Sequence, residues 1–474
     1  MENQYEAVGQ WFREAPSQIS KTYVEKLNNG GAPITPNCFK NNYQIPPHIY
    51  CPIFGNFLEG LKNVRLELED YKIAKNLISE IGSFSGKEAD LVSVFQKITE
   101  NYFLNLKCVS EPIRSNSNQN SEARTDLSLI KENFMLLNFE AKLIETGIIL
   151  FNYKIYIFFF CWLIFFFNLR KISKGNGNPL IQNLSYYVKY WLDHEKSKLI
   201  NFCLCPTFLV QLINNHLQIC GVIMEKVPIV EHLFDIQLQI AAGNNDHLTT
   251  LARVMASLKR SLEELFKWYT ETRKSITSRS PGLSKNSRLF MISKSIENSN
   301  FGLTILKRLD EYKFVFEARV KNNREPKLKD NQSVILKLSK TYCEKAHMLL
   351  EKNEFAPKLY HIQTLPGGWK LIIMEYLVGF QEIKGPFKSE QKKKLEEIVD
   401  IIHKENIVHG DLREPNIMVS TNNELDIRII DFDWAGTVGQ VFFPPNINLA
   451  IPWPLDAKPG DAITKKHDLG FIYK

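Results

Sequence analysis

The stretch His409-Gly410-Asp411-Leu412-Arg413-Glu414-Pro415-Asn416-Ile417, with Asp431-Phe432-Asp433 after it, decides how the second half of this chain is read. Between the two, Ile417-Met418-Val419 reads as a strand, Thr421-Asn422-Asn423 as a turn, and Leu425 to Ile430 as the return strand. A hairpin of that length returns Asp431 to the side of Asp411 and Asn416. Asp411 is then able to accept the proton of an attacking hydroxyl. The Asn416 amide oxygen and the Asp431 carboxylate are able to hold Mg²⁺, which needs few protein ligands and completes its octahedron with water and phosphate oxygens. A surface loop with scattered carboxylates accounts for any one of these residues, but poorly for the ordered set.

Working back from His409, Ser389 to Lys404 reads as a helix with Leu395, Ile398, Val399 and Ile402 on one face and Ser389 as its cap. Tyr360 to Ile362 and Gly368 to Met374 flank the turn signal Pro366-Gly367-Gly368. Ser333 to Leu338 reads as a strand carrying Val334-x-x-Lys337, and Glu344 falls in the first turn of a helix expected to begin near Thr341. Leu303 to Arg319 reads as two strands.

From about Leu303 to the C-terminus this order resembles the protein-kinase-like fold. The resemblance implies Mg²⁺-dependent phosphoryl transfer from ATP: Asp411 as base, Asn416 and Asp431 on the metal, and Lys337 with Glu344 orienting phosphate. Met374-Glu375-Tyr376-Leu377 resembles a hinge, where the backbone of Glu375 and Leu377 would meet adenine. The blocks Tyr342 to His347, Phe355 to Leu359, Pro366 to Trp369, His409 to Arg413 and Asp431 to Gly436 are similar to a fungal kinase-like group. That group is fused behind PD-(D/E)XK nuclease-like domains in Crinkler-type, effector-like proteins. Three departures stand out: no Gly-x-Gly-x-x-Gly before Lys337, Asp433 where glycine is usual, and a chain that stops soon after His467-Asp468-Leu469. Asp468 is expected to be a buried helix carboxylate bracing the loop at His409. The phospho-acceptor implied is a protein or another hydroxyl compound.

The first half carries a second constellation. Arg124 to Ile130 and Phe134 to Lys142 read as strands, with Asp126 at the start of one and Glu140 and Lys142 near the end of the other. Residues two apart on a strand share a face, so Glu140 and Lys142 point together. Carboxylates so placed are able to hold Mg²⁺ while the lysine orients a water. Thr125-Asp126 and Glu140-Ala141-Lys142 resemble the PD-(D/E)XK motif, which implies contact with DNA. Glu88 at a helix start is a further candidate metal ligand, and Gln182 on the helix after the second strand fits the same family. An exposed hairpin, a first-turn carboxylate and a solvated glutamine are the plain alternatives. Further strands are expected over Pro206 to Ile213, His216 to Met224 and Val227 to Val230, then helices from Pro228 to Glu271. Before the hairpin, helices are expected over Leu61 to Ile81 and Glu88 to Leu104.

Composition bounds these readings. The net charge of +7, from 59 basic and 52 acidic residues, permits nucleic-acid contact without demonstrating it. Eight cysteines without regular spacing suggest reduced thiols inside a cell, in cytoplasm or nucleus, and Cys203 with Cys205 makes no zinc pattern. The first thirty residues show no signal peptide. Ile148 to Leu169 is long enough to span a bilayer, which needs about 20 apolar residues. It interrupts the nuclease-like unit, though, and 148–174 is built almost wholly from residues of A/T-rich codons. It is read as translated intron, with a membrane helix and a buried core helix as alternatives.

The expected architecture is α+β. A loose lead-in (1–45) precedes a restriction-endonuclease-like domain (46–271, with the insert at 148–174), a linker (272–298) and a compact bilobal kinase-like domain (299–474). Two other functions stay open: a Mg²⁺-dependent DNA endonuclease whose kinase-like half senses nucleotide, and an inactive pseudokinase that only binds partners.

Overall fold

The computed structural model describes residues 46–82, 84, 86–100, 102–103, 112–114, 122–124, 126–132, 134–142, 178–192, 203–224, 227–239, 245–277, 301–310, 313–321, 324, 326–383, 385–445, 447–448 and 451–473. The lead-in 1–45 and the run 148–174 lie outside them. Two compact units divide between Met291 and Ile292. Both mix helices with sheets.

The first unit begins with α1 (Pro47–Tyr50), α2 (Pro52–Asn63), α3 (Leu68–Ile81) and α4 (Glu88–Glu100). The helix expected over Leu61 to Ile81 is therefore two. The break falls after Asn63, and the Asp70 carboxylate takes the Glu67 N–H (2.7 Å) to start α3. The helix expected to reach Leu104 ends at Glu100. A two-stranded pair, β1 (Pro112–Arg114) and β2 (Glu122–Arg124), precedes β3 (Leu127–Lys131) and β4 (Phe134–Lys142). Then come α5 (Pro179–Trp191), β5 (Thr207–Ile213), β6 (His216–Met224), β7 (Pro228–Gln237) and α6 (Asn245–Thr277).

The sheet order is β3-β4-β5-β6-β7, and only β4–β5 is parallel. A parallel neighbour requires a crossover, and α5 supplies it. Asn178 caps that helix by accepting from the Leu180 and Ile181 N–H groups, with Pro179 in the first turn. Asn183 of α5 locks to β4: its side-chain oxygen accepts from Asn138 Nδ2 at 2.7 Å, and its own Nδ2 donates to the Val210 carbonyl of β5. Phe54, Phe57 and Phe208 pack edge to face in the core. Gly221 of β6 makes room there, since a Cβ would stand 2.9 Å from the Phe54 ring.

Two expectations need correction. Pro228 to Gln237 is a strand, not the start of a helical region: Leu233 and Ile236 are buried on β7, and a bulge resets the register beside Phe234. α6 continues to Thr277, into the stretch read as linker from Thr272. Its buried residues include Leu251, Val254, Met255, Leu258, Leu262, Leu265 and Tyr269, a helical stripe that keeps the chain packed to that point.

The second unit opens with an antiparallel sheet in the order β11-β12-β10-β9-β8. Its strands are β8 (Gly302–Arg308), β9 (Phe314–Lys321), β10 (Ser333–Ser339), β11 (Leu359–Thr364) and β12 (Lys370–Glu375), with α7 (Glu344–Lys352) between β10 and β11. After β13 (Phe380–Glu382), α8 (Ser389–Lys404) leads to β14 (Ile407–Val408), a 3-10 turn over Glu414–Asn416, β15 (Ile417–Ser420), β16 (Ile427–Ile429), β17 (Gly436–Thr437) and α9 (Lys465–Ile472). Ser389 is the first residue of α8 and not its cap. Lys388 holds the cap position, its N–H donating to the Gln391 side chain.

Leu395, Ile398, Val399 and Ile402 of α8 pack with Ile417, Val419, Ile427 and Ile429 of the β15–β16 hairpin and with Phe432. That core fixes both ends of the hairpin, and thereby the loop before it and the Asp-Phe-Asp turn after it. Among the described residues no helix is long and apolar enough to cross a membrane.

Candidate functional site

In the second unit, β14 and the 3-10 turn bracket the loop carrying Asp411. Gly410 adopts φ 83°, a left-handed conformation that suits glycine. A Cβ there would stand 2.9 Å from Ile463 Cδ1 and 3.1 Å from the Trp434 carbonyl. Asp468 of α9, fully buried, accepts from the His409 and Gly410 N–H groups at 2.8 Å each and pairs with His403 Nε2 at 3.0 Å. Its position is the one expected of a bracing carboxylate.

Asn416 gives its amide N–H groups to Asp411, 2.8 Å to the carbonyl and 2.8 Å to Oδ2. That fixes the flip of the amide and turns its oxygen away from Asp411. Ile430 ties the returning strand to the loop, its N–H on the Asn416 carbonyl (3.0 Å) and its carbonyl on the His409 ring (3.2 Å). Asp431 follows with φ 70°, uncommon for a residue with a side chain.

Lys337 of β10 lies 2.5 Å from Asp431 Oδ1 and 2.7 Å from Asp433 Oδ1. Burial opposes its charge, but the two carboxylates outweigh burial and hold the ammonium above the usual lysine range. Burial also acts against the charge of Asp431, yet Lys337 and Lys313 keep that carboxyl far below its ordinary range. Asp433 answers differently: burial, reinforced by Asp431, pushes it up to about 6 against the pull of Lys337. Glu344 opens α7 as an exposed residue, so the expected Lys337–Glu344 pair is replaced by Lys337 between the two aspartates. The carboxylates are nearer because the Asp-Phe-Asp turn lies beneath β10. Glu375 ends β12, its N–H on the Lys358 carbonyl at 2.9 Å, and Leu377 follows outside the strand.

Three residues to which the sequence reading assigned no role join this cluster. Arg413 holds Asp411 with two hydrogen bonds, Nε to Oδ1 at 2.5 Å and a terminal nitrogen to Oδ2 at 2.9 Å. Lys313, in the turn between β8 and β9, places its ammonium on Asp431 Oδ2. His347 stacks on Phe432 with ring centres 4.8 Å apart. Arg413 and His347 stood in the motif blocks His409 to Arg413 and Tyr342 to His347 without roles of their own; Lys313 carried no signal.

The first unit gathers its own group. The Asp126 carboxylate accepts from the Ala141 N–H at 2.7 Å. Lys142 bonds Glu88 Oε1 at 2.7 Å and stands 3.2 Å from Glu140 Oε1. Glu140 is fully buried and its oxygens find no hydrogen-bond partner, the Lys142 ammonium beside Oε1 being an ion-pair neighbour. Burial, then the Asp126 charge, pushes Glu140 up to about 8, and burial likewise raises Asp126. Gln182 of α5 lies 3.5 Å from the Tyr186 hydroxyl, and Tyr186 is pushed up to about 12 by burial and by Glu140. Tyr186 was not foreseen; its place one helical turn after Gln182 was the available signal. Asp126, Glu140, Lys142 and Glu88 are thus brought together.

Among the described residues no three His, Cys, Asp or Glu side chains are close enough to hold a metal ion by themselves. The oxygen donors of both clusters nevertheless suit Mg²⁺, which draws its other ligands from water and phosphate.

No protein-family model matches the chain, and no curated protein matches it. Solved structures are similar to part of it, among them two kinases. One is the Cydia pomonella granulovirus kinase PK-1, 21% identical, with 38% of this chain and 70% of that one covered and a TM-score of 0.29. The other is vaccinia related kinase 3, 13% identical, with 37% of this chain and 63% of that one covered and a TM-score of 0.26. The chain therefore spans less than two thirds of the second structure.

Proposed function

We propose that residues 301–473 form a protein-kinase-like phosphotransferase using ATP and Mg²⁺. The observation that carries this reading is the hydrogen-bonded set in which Asn416 fixes Asp411 while Lys337 meets Asp431. Bound Mg²⁺ would neutralise phosphate charge and align the transferred group. Asp431 and the Asn416 amide oxygen are the chain's ligands for it, and Lys337 turns from the aspartates toward phosphate. Asp411, released from Arg413, accepts the proton of the incoming hydroxyl. Glu375 and Leu377 offer backbone groups to the base at the end of β12. The acceptor is a protein or another hydroxyl compound. Calorimetric titration with ATP, with and without Mg²⁺, tests this: binding should need the ion and weaken about tenfold or more in Lys337→Ala. Absence of binding would leave the pseudokinase reading.

A second reading concerns the first unit. A buried Glu140 without hydrogen bonds, beside Asp126, Lys142 and Glu88, supports a Mg²⁺-dependent nuclease site acting on DNA. Together the two readings form the Crinkler-type fusion that the motifs resemble, with an intracellular place of action. Nicking of plasmid by the wild type and not by Glu140→Ala tests the nuclease part.

A further inference from the structure

The β8–β9 turn, Leu309-Asp310-Glu311-Tyr312-Lys313, lies where kinase-like proteins carry glycines, and it has none. Its base is internally braced. Leu309 N–H donates to the Val315 carbonyl and Lys313 N–H to Asp310 Oδ1, both at 2.8 Å. The Arg308 guanidinium donates to the carbonyls of Asp310 (2.8 Å) and Lys313 (3.3 Å). The backbone of Lys313 is therefore held while its side chain reaches Asp431.

Asp431 consequently carries an ammonium on each oxygen: Lys337 on Oδ1 and Lys313 on Oδ2. The two differ in freedom. The Lys337 side chain is 6% exposed and shared with Asp433; that of Lys313 is 42% exposed, with Asp431 as its ion-pair partner. A divalent cation approaching Asp431 meets an ammonium at either oxygen, and Lys313 is the one with somewhere to go.

We infer that Lys313 is an exchangeable cation: it occupies the Asp431 oxygen that a divalent metal takes, and on nucleotide binding it moves to a phosphate oxygen. This deepens the phosphotransferase reading and rests on it. One lysine on a braced turn would then do by charge what a glycine loop does by backbone N–H groups. The same residue opposes metal without nucleotide and favours metal with it, because only the nucleotide brings a second anion for the ammonium.

The test measures two affinities on the full chain: Mn²⁺ alone, by electron paramagnetic resonance, and ATP with Mg²⁺, by calorimetry. Lys313→Ala should bind Mn²⁺ about tenfold more tightly and ATP about tenfold more weakly. Lys313→Gln should shift both in the same directions. Lys307→Ala, which removes a cation of the same hairpin paired with Glu317, should leave both unchanged. Opposite shifts confined to position 313 establish the exchange. Unchanged or weakened Mn²⁺ binding, unchanged ATP binding, or equal effects at Lys307 overturn it. A wild-type chain that binds no ATP removes the phosphotransferase reading and this inference together, whereas wild-type binding with an indifferent Lys313→Ala removes the inference alone.

Discussion

Asp468 and Gly410, 58 positions apart in sequence, are joined by a buried 2.8 Å hydrogen bond from the Gly410 N–H to the Asp468 carboxylate. With the companion bond from His409, the carboxylate sets the path of the loop ahead of Asp411. Bonds to a buried charge are the strong kind, worth about 1.5–3 kcal/mol each. Asp468→Ala should speed amide hydrogen exchange across 409–411 by about a hundredfold, and Asp468→Asn, which keeps one acceptor, by less. Exchange unchanged in both variants would show that the loop is held otherwise.

The pairing of Lys337 yields a contrast between two carboxylates. Asp433→Ala removes one partner of the buried ammonium and should weaken ATP binding about tenfold. Glu344 is exposed at the start of α7, and Glu344→Ala should change affinity less than about twofold. Titration calorimetry on the pair decides it; the reverse order would mean that Lys337 takes Glu344, not Asp433, as its carboxylate partner in the nucleotide-bound state.

His347 predicts a pH dependence of stability. Burial pulls it from about 6.5 down to about 4, and the neutral ring is satisfied, with the Tyr342 hydroxyl 2.6 Å from Nδ1 and the Pro357 carbonyl 2.7 Å from Nε2. Between those values the unfolded chain binds a proton that the folded one does not. The contribution is therefore complete above pH ~6.5 and lost as pH falls toward 4, about 3 kcal/mol in all. Hydrogen exchange of α7 at pH 7.5 and 4.5 reads it, and His347→Phe should remove this part of the difference.

Glu140 predicts a trade of stability for function. A buried carboxylate without hydrogen bonds is costly. Glu140→Gln should stabilise the first unit by about 1–2 kcal/mol when divalent ions are absent, read as a higher melting transition. Mg²⁺ should then stabilise the wild type more than the variant. Differential scanning calorimetry with and without Mg²⁺ measures both.

Much of this was legible in the sequence because the signals were local. The Asn178-Pro179 helix start, the β15–β16 hairpin and the apolar face of α8 each depend on residues within one turn or strand of one another. Pairings across the sheet were not. Nothing near Lys337 says that Asp433, not Glu344, lies beneath it, because that follows from the turn geometry of Asp431 to Asp433. The β7 error has a physical source: Leu233 and Ile236 are three apart, a helical interval, and a bulge lets a strand bury both. Lys313 carried no pattern because a lysine in a turn is ordinarily a solvated residue.

Phe432 is gripped from two sides. The His347 ring of α7 stacks on it, the His409 ring meets it edge-on at 5.4 Å, and its carbonyl accepts from the Cys343 N–H just ahead of α7. Helix and Asp431 are thereby geared together: a partner that tugged on α7 would drag the Asp431 carboxylate with it, giving this unit a mechanical handle on that side chain.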